Sequence, residues 1–545
     1  MNRSMPSADL VLDGRSLTIE EVVSVARPAE QVALRLSDGA ADAMKSSLDL
    51  KHELMAQRIP IYGVTTGFGD SCVRQIAPEK AWDLQRNLVL YHLNGVGPTA
   101  TPEVARASML IRANSLARGV SAIRPGTVEL LLRLVERDVL PLIPERGSLG
   151  ASGDLVPLCY VAAALIGEGD VAHRGTVRPV ADALAEEGLE PVRLEPKEGL
   201  SLINGTSFTA AFAALATADA EELAFVADLA TAMSCEALLG NASHFHPFVH
   251  DSKPHPGQGH SAGLIRALLA GSALTTSYEE ILLRREPLRE RGYVRLDHRI
   301  QDKYSIRCAP HVTGVLRDTL SWVRPWVTTE INSATDNPLF DGELGALHHG
   351  GNFYAGHLGQ AMDSLKVAVA NIADLLDRQL ELIVDEKFNN GLTPNLVSPT
   401  APDDARAGLN HGFKGMQIAC SAVTAEALKT AAPATVFSRS TEAHNQDKVS
   451  MGTIAARDAR TIVELTRSVA AIHLIALAQA IDLRGVEKAS PAVRRVHAAI
   501  RAVSPFVDGD RRLDLDVEAV AGLIRTGALR RAAGVAAPSD PAPVA

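Results

Sequence analysis

The sequence predicts an all-α protein, a bundle of long and mostly antiparallel helices. Apolar residues make up 46% of the 545 residues but aromatic residues only 4%, so small and aliphatic side chains must fill the interior, as in closely packed helices. From 358 to 383, large apolar residues recur at steps of three or four over about seven helical turns. Two further stretches, 208–239 and 453–482, are apolar and similarly long. The repeating residues of the first stretch are Leu358, Met362, Leu365, Val369, Ile372, Leu376, Leu380 and Ile383.

The length of these helices decides between one core and several. A chain of 545 residues would by itself suggest two or three domains. Helices of this size are roughly 40 to 48 Å long, and a bundle of them forms one elongated core. We therefore divide the chain into an N-terminal region 1–200 with the chemical motifs described below, a region 201–530 with the long helices and the C-terminal helices, and a disordered Ala- and Pro-rich tail 531–545.

Shorter elements are predicted in the N-terminal region. Thr18 is a candidate N-cap for a helix that ends at Ala26. The loop 59–70 contains three glycines and two threonines, a composition typical of an ordered but adaptable loop. Charges, glycines and prolines predict that 168–200 lies on the surface. Further helices are expected at 81–93, 128–140 and 156–167.

Charge and cysteine content narrow the class of protein. The net charge of −10 and the lack of a basic stripe with interleaved aromatic residues argue against a nucleic-acid partner. The five cysteines are scattered without a C-x-x-C pair, which fits the reducing cytoplasm. Residues 1–14 lack a signal-peptide pattern, and charged residues interrupt the apolar stretches. We therefore expect a cytoplasmic protein with no membrane association.

The stretch Gly147–Leu158, GSLGASGDLVPL, carries the most specific chemical pattern. Its small residues let the backbone bend tightly. If the Gly153 nitrogen attacks the Ala151 carbonyl carbon, a five-membered ring closes, and loss of two waters, one with the Ser152 hydroxyl, leaves a methylidene-imidazolone (MIO). This ring is an electrophile that no ordinary side chain provides. The triplet alone is also compatible with a flexible turn, whereas a phosphate-binding loop is disfavoured because neither glycine-rich nucleotide-binding pattern is present.

A group of five histidines between His244 and His260 could suggest a metal site. Pro247, Pro254 and Pro256 break any helical face that would bring these rings together. No cysteine or close carboxylate pair completes a ligand shell. We therefore predict no metal.

The twelve-residue glycine-rich string resembles the signature of the histidine, phenylalanine and tyrosine ammonia-lyases and of the related aromatic 2,3-aminomutases. At least six motifs match this family in the same order, from about residue 10 to 525. The resemblance implies a homotetramer and an MIO that forms autocatalytically from Ala151, Ser152 and Gly153, without a metal or a dissociable cofactor. It also implies active sites shared between subunits, with Tyr62, Ser152 and Arg307 not all supplied by one chain.

The resemblance also assigns roles to single residues, each of which alone would more often be a packed or surface residue. Tyr62, in the loop Tyr-Gly-Val-Thr-Thr-Gly-Phe-Gly, matches the base that removes the substrate β-proton. Asn204 matches an amide that contacts the MIO carbonyl oxygen and stabilises negative charge. Arg307 matches a clamp for the substrate carboxylate, and Tyr304, one helical turn earlier, matches another active-site residue. Asn337 matches an amide on the carboxylate side.

Five further residues match family positions near the substrate amine, the substrate ring or the MIO. Glu426 is assigned only from its seven-residue distance to Pro433. Lys414 and Gln446 lie in the segments Gly-Phe-Lys-Gly and His-Asn-Gln-Asp. Ordinary polar capping is the alternative role for these side chains. The five residues are Gly69, Phe353, Lys414, Glu426 and Gln446.

Two adjacent residues are expected to face the substrate ring. Alignment without gaps on Gly95-Val96-Gly97 places Tyr91 and His92 there, a pair that matches neither the Phe-Leu, the His-Leu nor the Ser-His of phenylalanine, tyrosine and histidine lyases. A histidine favours a ring with a polar atom. Other motifs resemble the phenylalanine branch, so we rank tyrosine ahead of phenylalanine and histidine third. A one-residue gap would instead give the His-Leu pair of tyrosine lyases.

The resemblance implies elimination of ammonia from an aromatic L-amino acid to give an aryl acrylate. A 2,3-aminomutase is the enzymatic alternative, because it shares these residues and differs in whether the acrylate leaves before the amine returns to the β-carbon. A non-enzymatic alternative is a helical scaffold in which Ala151-Ser152-Gly153 stays uncyclised. The sequence does not decide among these outcomes.

Overall fold

The computed structural model describes residues 9–28, 32–283, 292–296, 300–401 and 403–536. It is 59% helical with a few short strands, which confirms the all-α prediction. The helices before the first long one are α1 Ile19–Ala26, α2 Asp38–Ala56, α3 Ala81–Tyr91, α4 Pro102–Ala117, α5 Pro125–Glu136, α6 Leu155–Leu165, α7 Val180–Glu187 and α8 Glu198–Ile203.

The rest of the chain contains both long and short helices. They are α9 Ser207–Ala237, α10 Pro247–Asp251, α11 Pro256–Leu269, α12 Tyr278–Leu283, α13 Tyr304–Arg307, α14 Ala309–Ile331, α15 Gly356–Val384, α16 Lys414–Thr430, α17 Gly452–Arg484, α18 Pro491–Arg501, α19 Asp514–Arg525 and α20 Ala528–Ala533. The last of these helices extends into the predicted disordered tail, and residues 537–545 lie outside the described part of the chain.

The strands form small sheets of two or three strands. Strands β1 and β2 pair in parallel with Leu10 opposite Leu34, and the other pairs, β3–β5, β4–β6, β6–β7 and β8–β9, are antiparallel. Their bounds are β1 Leu10–Leu12, β2 Leu34–Leu36, β3 Val96–Thr99, β4 Leu140–Pro141, β5 Pro144–Arg146, β6 Asp170–His173, β7 Thr176–Pro179, β8 Leu339–Asp341 and β9 Ala346–His348.

The packing of the chain separates two compact units. The first comprises residues up to Ala218 together with Val323–Ser364 and Pro433–Arg460, and so continues past residue 200. The second comprises Asp219–Trp322, Leu365–Ala432 and the residues from Thr461 onward.

Local sequence explains where the helices begin and which faces they bury. Thr18 caps α1 as predicted, in a reciprocal capping box with Glu21. All eight repeating residues of α15 are 0% exposed, so the periodic stripe is a core-facing surface. Helix α17 is long and apolar enough to cross a membrane, but 78% of its most apolar window is buried inside the protein, as expected for a core helix.

Within the first unit, α8 packs against α3 and α6 and ends at the residue before Asn204. The prediction that 168–200 is a surface segment is wrong for its last part, since Lys197 and Glu198 are fully buried. Glu198 accepts hydrogen bonds from Arg124 and Thr127. Charged residues usually indicate a surface segment, but here partners distant in sequence neutralise the charges of Lys197 and Glu198.

Candidate active site

The first unit contains a cavity of about 760 Å³. Its walls come from the tyrosine loop after α2, from α3, from the glycine-rich turn before α6, and from the segment before α17. The cavity brings together ten of the residues predicted from sequence: Tyr62, Gly69, Tyr91, His92, Ala151, Ser152, Asn204, Asn337, Phe353 and Gln446.

The Ala151-Ser152-Gly153 triplet forms a tight turn at the cavity wall. Gly150 and Gly153 bridge each other across it, and Ser152 and Gly153 have positive φ angles of 53° and 74°. A Cβ atom on Gly153 would lie 2.2 Å from the Gly205 carbonyl oxygen, so only glycine fits there. A tight turn with glycine at its third position is the arrangement that ring closure needs, and the triplet therefore fits an MIO.

The buried Asp154 anchors this turn from behind. Its carboxylate accepts the Thr209 N–H at 2.7 Å and the hydroxyls of Thr209 and Thr453 at 2.8 and 2.7 Å. Burial raises the pKa of Asp154, and these hydrogen bonds partly oppose that shift. The residue is 1% exposed, so it holds the turn and does not face the cavity.

Two amide side chains converge on Ser152. Asn204 donates from Nδ2 to the Ser152 carbonyl oxygen at 2.9 Å, and Gln446 donates from Nε2 to the Ser152 hydroxyl at 3.0 Å. The Asn204 donor lies where the predicted role requires it, at the Ser152 carbonyl, whose oxygen becomes the carbonyl oxygen of the MIO ring. Neutral donors at this position stabilise developing negative charge without a proton transfer.

Tyr62 lies on the same cavity, and its loop holds its hydroxyl. The Gly69 N–H donates to the Tyr62 oxygen at 2.9 Å. Burial raises the pKa of the Tyr62 phenol, while the Gly69 hydrogen bond lowers it in part. The hydrogen bond favours the phenolate, which is the form that can act as a base.

Glu442 also lines the cavity, although no sequence motif marks it. Its carboxylate accepts the Asp70 N–H at 3.0 Å and occupies the space that a side chain at Gly69 would need. Glu442, Ala443 and His444 have left-handed φ angles of 49°, 52° and 64°, a strained run for residues other than glycine. This turn points the Glu442 carboxylate at the tyrosine loop. The spacing of residues along the chain does not reveal that Glu442 lies next to Gly69.

The expected specificity pair is stacked in the cavity wall. The Tyr91 and His92 ring centroids are 4.2 Å apart. The Nδ1 atom of His92 lies 2.9 Å from the Leu88 carbonyl oxygen, which can only accept, so Nδ1 carries the proton. Burial lowers the pKa of His92 and raises that of Tyr91 to about 12. The neutral His92 ring therefore presents Nε2 as a hydrogen-bond acceptor.

The other four predicted substrate-site residues belong to the second unit. Arg307 donates from Nε to the Asp302 carbonyl at 3.1 Å, and its guanidinium lies 4.6 Å from the centre of the Tyr304 ring, a cation–π distance. Tyr304 is 72% exposed. Lys414 and Glu426 are exposed on α16, and their roles stay predictions.

The histidine-rich segment forms structural hydrogen bonds. His250 lies 3.0 Å from Gln258 through Nδ1 and 3.1 Å from the His244 carbonyl through Nε2. The Asp302 N–H donates to Nε2 of His244 at 3.1 Å. These protein partners occupy ring nitrogens that a metal ion would need.

The helical scaffold carries a cavity with a candidate base, two converging amides and a turn that can cyclise. Together these features define an enzyme of the carbon–nitrogen lyase class. A family model, aromatic amino acid lyase, matches residues 17–502. A histidine ammonia-lyase from Anaeromyxobacter sp. strain K is 42% identical over 528 residues, covering 95% of this chain and 99% of the relative. A tyrosine ammonia-lyase from Cupriavidus metallidurans is 40% identical, covering 95% and 96%.

Solved structures agree with the sequence relatives. A tyrosine aminomutase from Streptomyces globisporus superposes with a TM-score of 0.90 at 38% identity, covering 97% of this chain and 98% of that one. The chain belongs to the aromatic amino acid lyase family. This confirms the resemblance, the enzyme class and the fold.

Proposed function

We propose that this protein eliminates ammonia from L-tyrosine and releases an aryl acrylate. The observation that carries the proposal is the Ala151-Ser152-Gly153 turn, held at the cavity with the Asn204 amide 2.9 Å from the Ser152 carbonyl. Once formed, an MIO from this triplet supplies the electrophile that makes the amine a leaving group. The remaining chemistry falls to side chains of the protein.

Each side chain has a distinct task in this proposal. Tyr62 removes the β-proton as a phenolate. Asn204 donates to the ring oxygen, where negative charge develops. The side-chain oxygen Oδ1 of Asn337 accepts the Gly350 N–H at 2.8 Å, which leaves the side-chain NH₂ for the substrate carboxylate. Arg307 binds that carboxylate through parallel hydrogen bonds.

The His92 acceptor supports tyrosine over phenylalanine. A phenol can donate its hydroxyl hydrogen to Nε2, whereas a bare phenyl ring has no donor and would leave this half-buried acceptor unpaired. The imidazole N–H of histidine can also donate, and 42% identity to a histidine ammonia-lyase makes histidine the second candidate substrate.

A 2,3-aminomutase is the second candidate reaction, supported by the likeness to a tyrosine aminomutase at a TM-score of 0.90. Both reactions are tested by measuring intact mass and then incubating the protein separately with tyrosine, phenylalanine and histidine. We expect a chain lighter by two waters, and ammonia plus coumarate from tyrosine. A β-amino acid that persists would indicate the mutase, and full mass without turnover would contradict the proposal.

We expect a His92→Leu substitution to change substrate preference. Loss of the acceptor should lower kcat/KM for tyrosine about tenfold or more, since it removes one hydrogen bond from a desolvated site. The value for phenylalanine should stay the same or rise. Tyr91→Phe tests the other member of the pair, because it keeps the stacked ring and removes only a hydroxyl. Equal losses for both substrates in His92→Leu would argue against ring recognition by this residue.

We also propose a cytoplasmic homotetramer with shared sites. Tyr304 and Arg307 present their side chains from the second unit, and α16 exposes apolar Ile418 and Leu428 at 68% and 43%, as expected where subunits pack. The five cysteines, Cys72, Cys159, Cys235, Cys308 and Cys420, are free thiols, which fits a reducing compartment.

Subunit sharing predicts complementation between inactive variants. Tyr62→Phe and Arg307→Ala should each be inactive alone, but co-expression should restore activity, since mixed tetramers contain sites with both native side chains. Co-expression of Tyr62→Phe with Ser152→Ala is the control, because one cavity of one chain holds both positions. Tyrosine turnover by the purified mixed tetramers is the measurement. Activity in neither mixture would contradict the shared site.

A further inference from the structure

One fully buried ion pair lies in the first unit, close in sequence to two residues of the cavity. The Lys197 ammonium lies 2.6 Å from the Asp336 carboxylate, and both side chains are 0% exposed. Removing two charges from water has a cost that their attraction often does not recover. Stability alone is therefore a weak explanation for a pair at this place.

The Asp336 carboxylate connects two segments of the cavity wall. One oxygen accepts from Lys197 at the start of α8, and the other accepts the backbone N–H of Asn337 at 2.7 Å. Helix α8 ends directly before Asn204. The pair therefore links α8, the helix directly before Asn204, to the main chain of Asn337.

The backbone of Lys197 is strained in a way that serves this contact. Its φ angle is +83°, in the left-handed region that side chains with a Cβ rarely adopt. This conformation precedes α8, and the ammonium also donates to the Ser201 hydroxyl one turn later, at 3.0 Å. Ser201 in turn donates to the Ser121 carbonyl at 2.8 Å. Strain held by several contacts at one residue points to a functional constraint.

We propose that Lys197 and Asp336 are a positioning pair for the reaction. By fixing α8 against the Asn337 backbone, they set the Asn204 amide at the Ser152 carbonyl and the Asn337 amide at the substrate carboxylate. Neither member of the pair lines the cavity, so both act through the two asparagines. This role rests on the proposed function, because that function makes both asparagines parts of the active site.

The test uses Lys197→Met in the full-length protein, with intact mass, melting temperature, kcat and KM for tyrosine as readouts. We expect kcat to fall about 100-fold, since a shift of catalytic groups by about 1 Å has this effect. KM should rise by less than about tenfold, because Asn337 binds the substrate carboxylate in the ground state whereas Asn204 acts mainly in the transition state. The two-water mass loss should persist. The melting temperature should fall, because the buried Asp336 carboxylate loses the ammonium that lies 2.6 Å from it.

Two further variants separate positioning from stability. The double variant Lys197→Met/Asp336→Asn removes both charges, so it should regain melting temperature but not kcat, and it stays testable if the single variant misfolds. Arg317→Met is the matched control. The Arg317 guanidinium lies 2.7 Å from the fully buried Asp228 carboxylate, within the second unit. This variant should lose stability and keep kcat.

The outcomes distinguish the two proposals. Recovery of kcat together with melting temperature in the double variant would show that the pair is only structural, as would an equal loss of kcat in Arg317→Met. Either result overturns the positioning role and leaves the proposed function intact. A wild-type chain without the two-water mass loss would overturn both.

Discussion

A Ser152→Ala substitution is expected to abolish turnover. Alanine has no hydroxyl to leave as water, so the methylidene cannot form and the amine stays a poor leaving group. The loss should be about 10⁴-fold or more, a part of the at least 10⁶-fold acceleration that enzymes commonly reach. The measurement pairs intact mass with tyrosine turnover. The variant should lack the two-water mass loss and keep its oligomeric state.

Ser71→Ala is the matched control for that substitution. Ser71 lines the same cavity but is not part of the triplet, so its variant should have the wild-type mass and activity within a few fold. A Ser152→Ala protein that still turns over tyrosine would show that the reaction does not depend on the triplet, and the proposed mechanism would be wrong.

Tyr62→Phe is expected to lower kcat by about 10² to 10⁴-fold, the usual contribution of a general base. Substrate affinity should change little, because the ring remains and only the hydroxyl is lost. Tyr354→Phe, which removes a hydroxyl from another residue of the cavity, should retain most activity. Single-turnover rates and equilibrium binding of tyrosine separate the chemical step from binding.

The pH dependence of kcat/KM is a second test of Tyr62 as the base. Burial raises the pKa of Tyr62, so the phenol is protonated at neutral pH and the active phenolate increases as pH rises. The wild-type kcat/KM should therefore rise as the pH increases above neutral. This alkaline limb of the pH profile should be absent in Tyr62→Phe. An unchanged alkaline limb in the variant would assign the titration, and the base, to another group.

Local sequence patterns were sufficient to predict the helices and the triplet that can cyclise. The three- and four-residue spacing of α15 predicts a buried stripe, and the structure buries all of it, because a helix fixes which residues share a face. The Ala151-Ser152-Gly153 chemistry is also local, since the reacting atoms lie within three consecutive residues. The Thr18 cap is a third example, since its partner is only three residues away.

Other features depended on contacts that spacing cannot reveal. Glu442 reaches the Asp70 N–H across 372 positions of the chain, whereas Glu426 was assigned from a distance to a nearby proline. Lys197 looked like a surface residue because its partner, Asp336, is 139 positions away. The His92 tautomer follows from a hydrogen bond to the Leu88 carbonyl, and sequence alone left both ring nitrogens available.

The helical class, the long core helices and the triplet that can close a ring all follow from the amino-acid sequence, because side-chain size and periodicity act within a few turns of one chain. The tertiary structure decided which carboxylate meets the tyrosine loop, which nitrogen of His92 accepts, and that a lysine is buried behind Asn204 and Asn337. Burial and partner geometry set charge and hydrogen-bond direction, and both arise only when distant segments pack together.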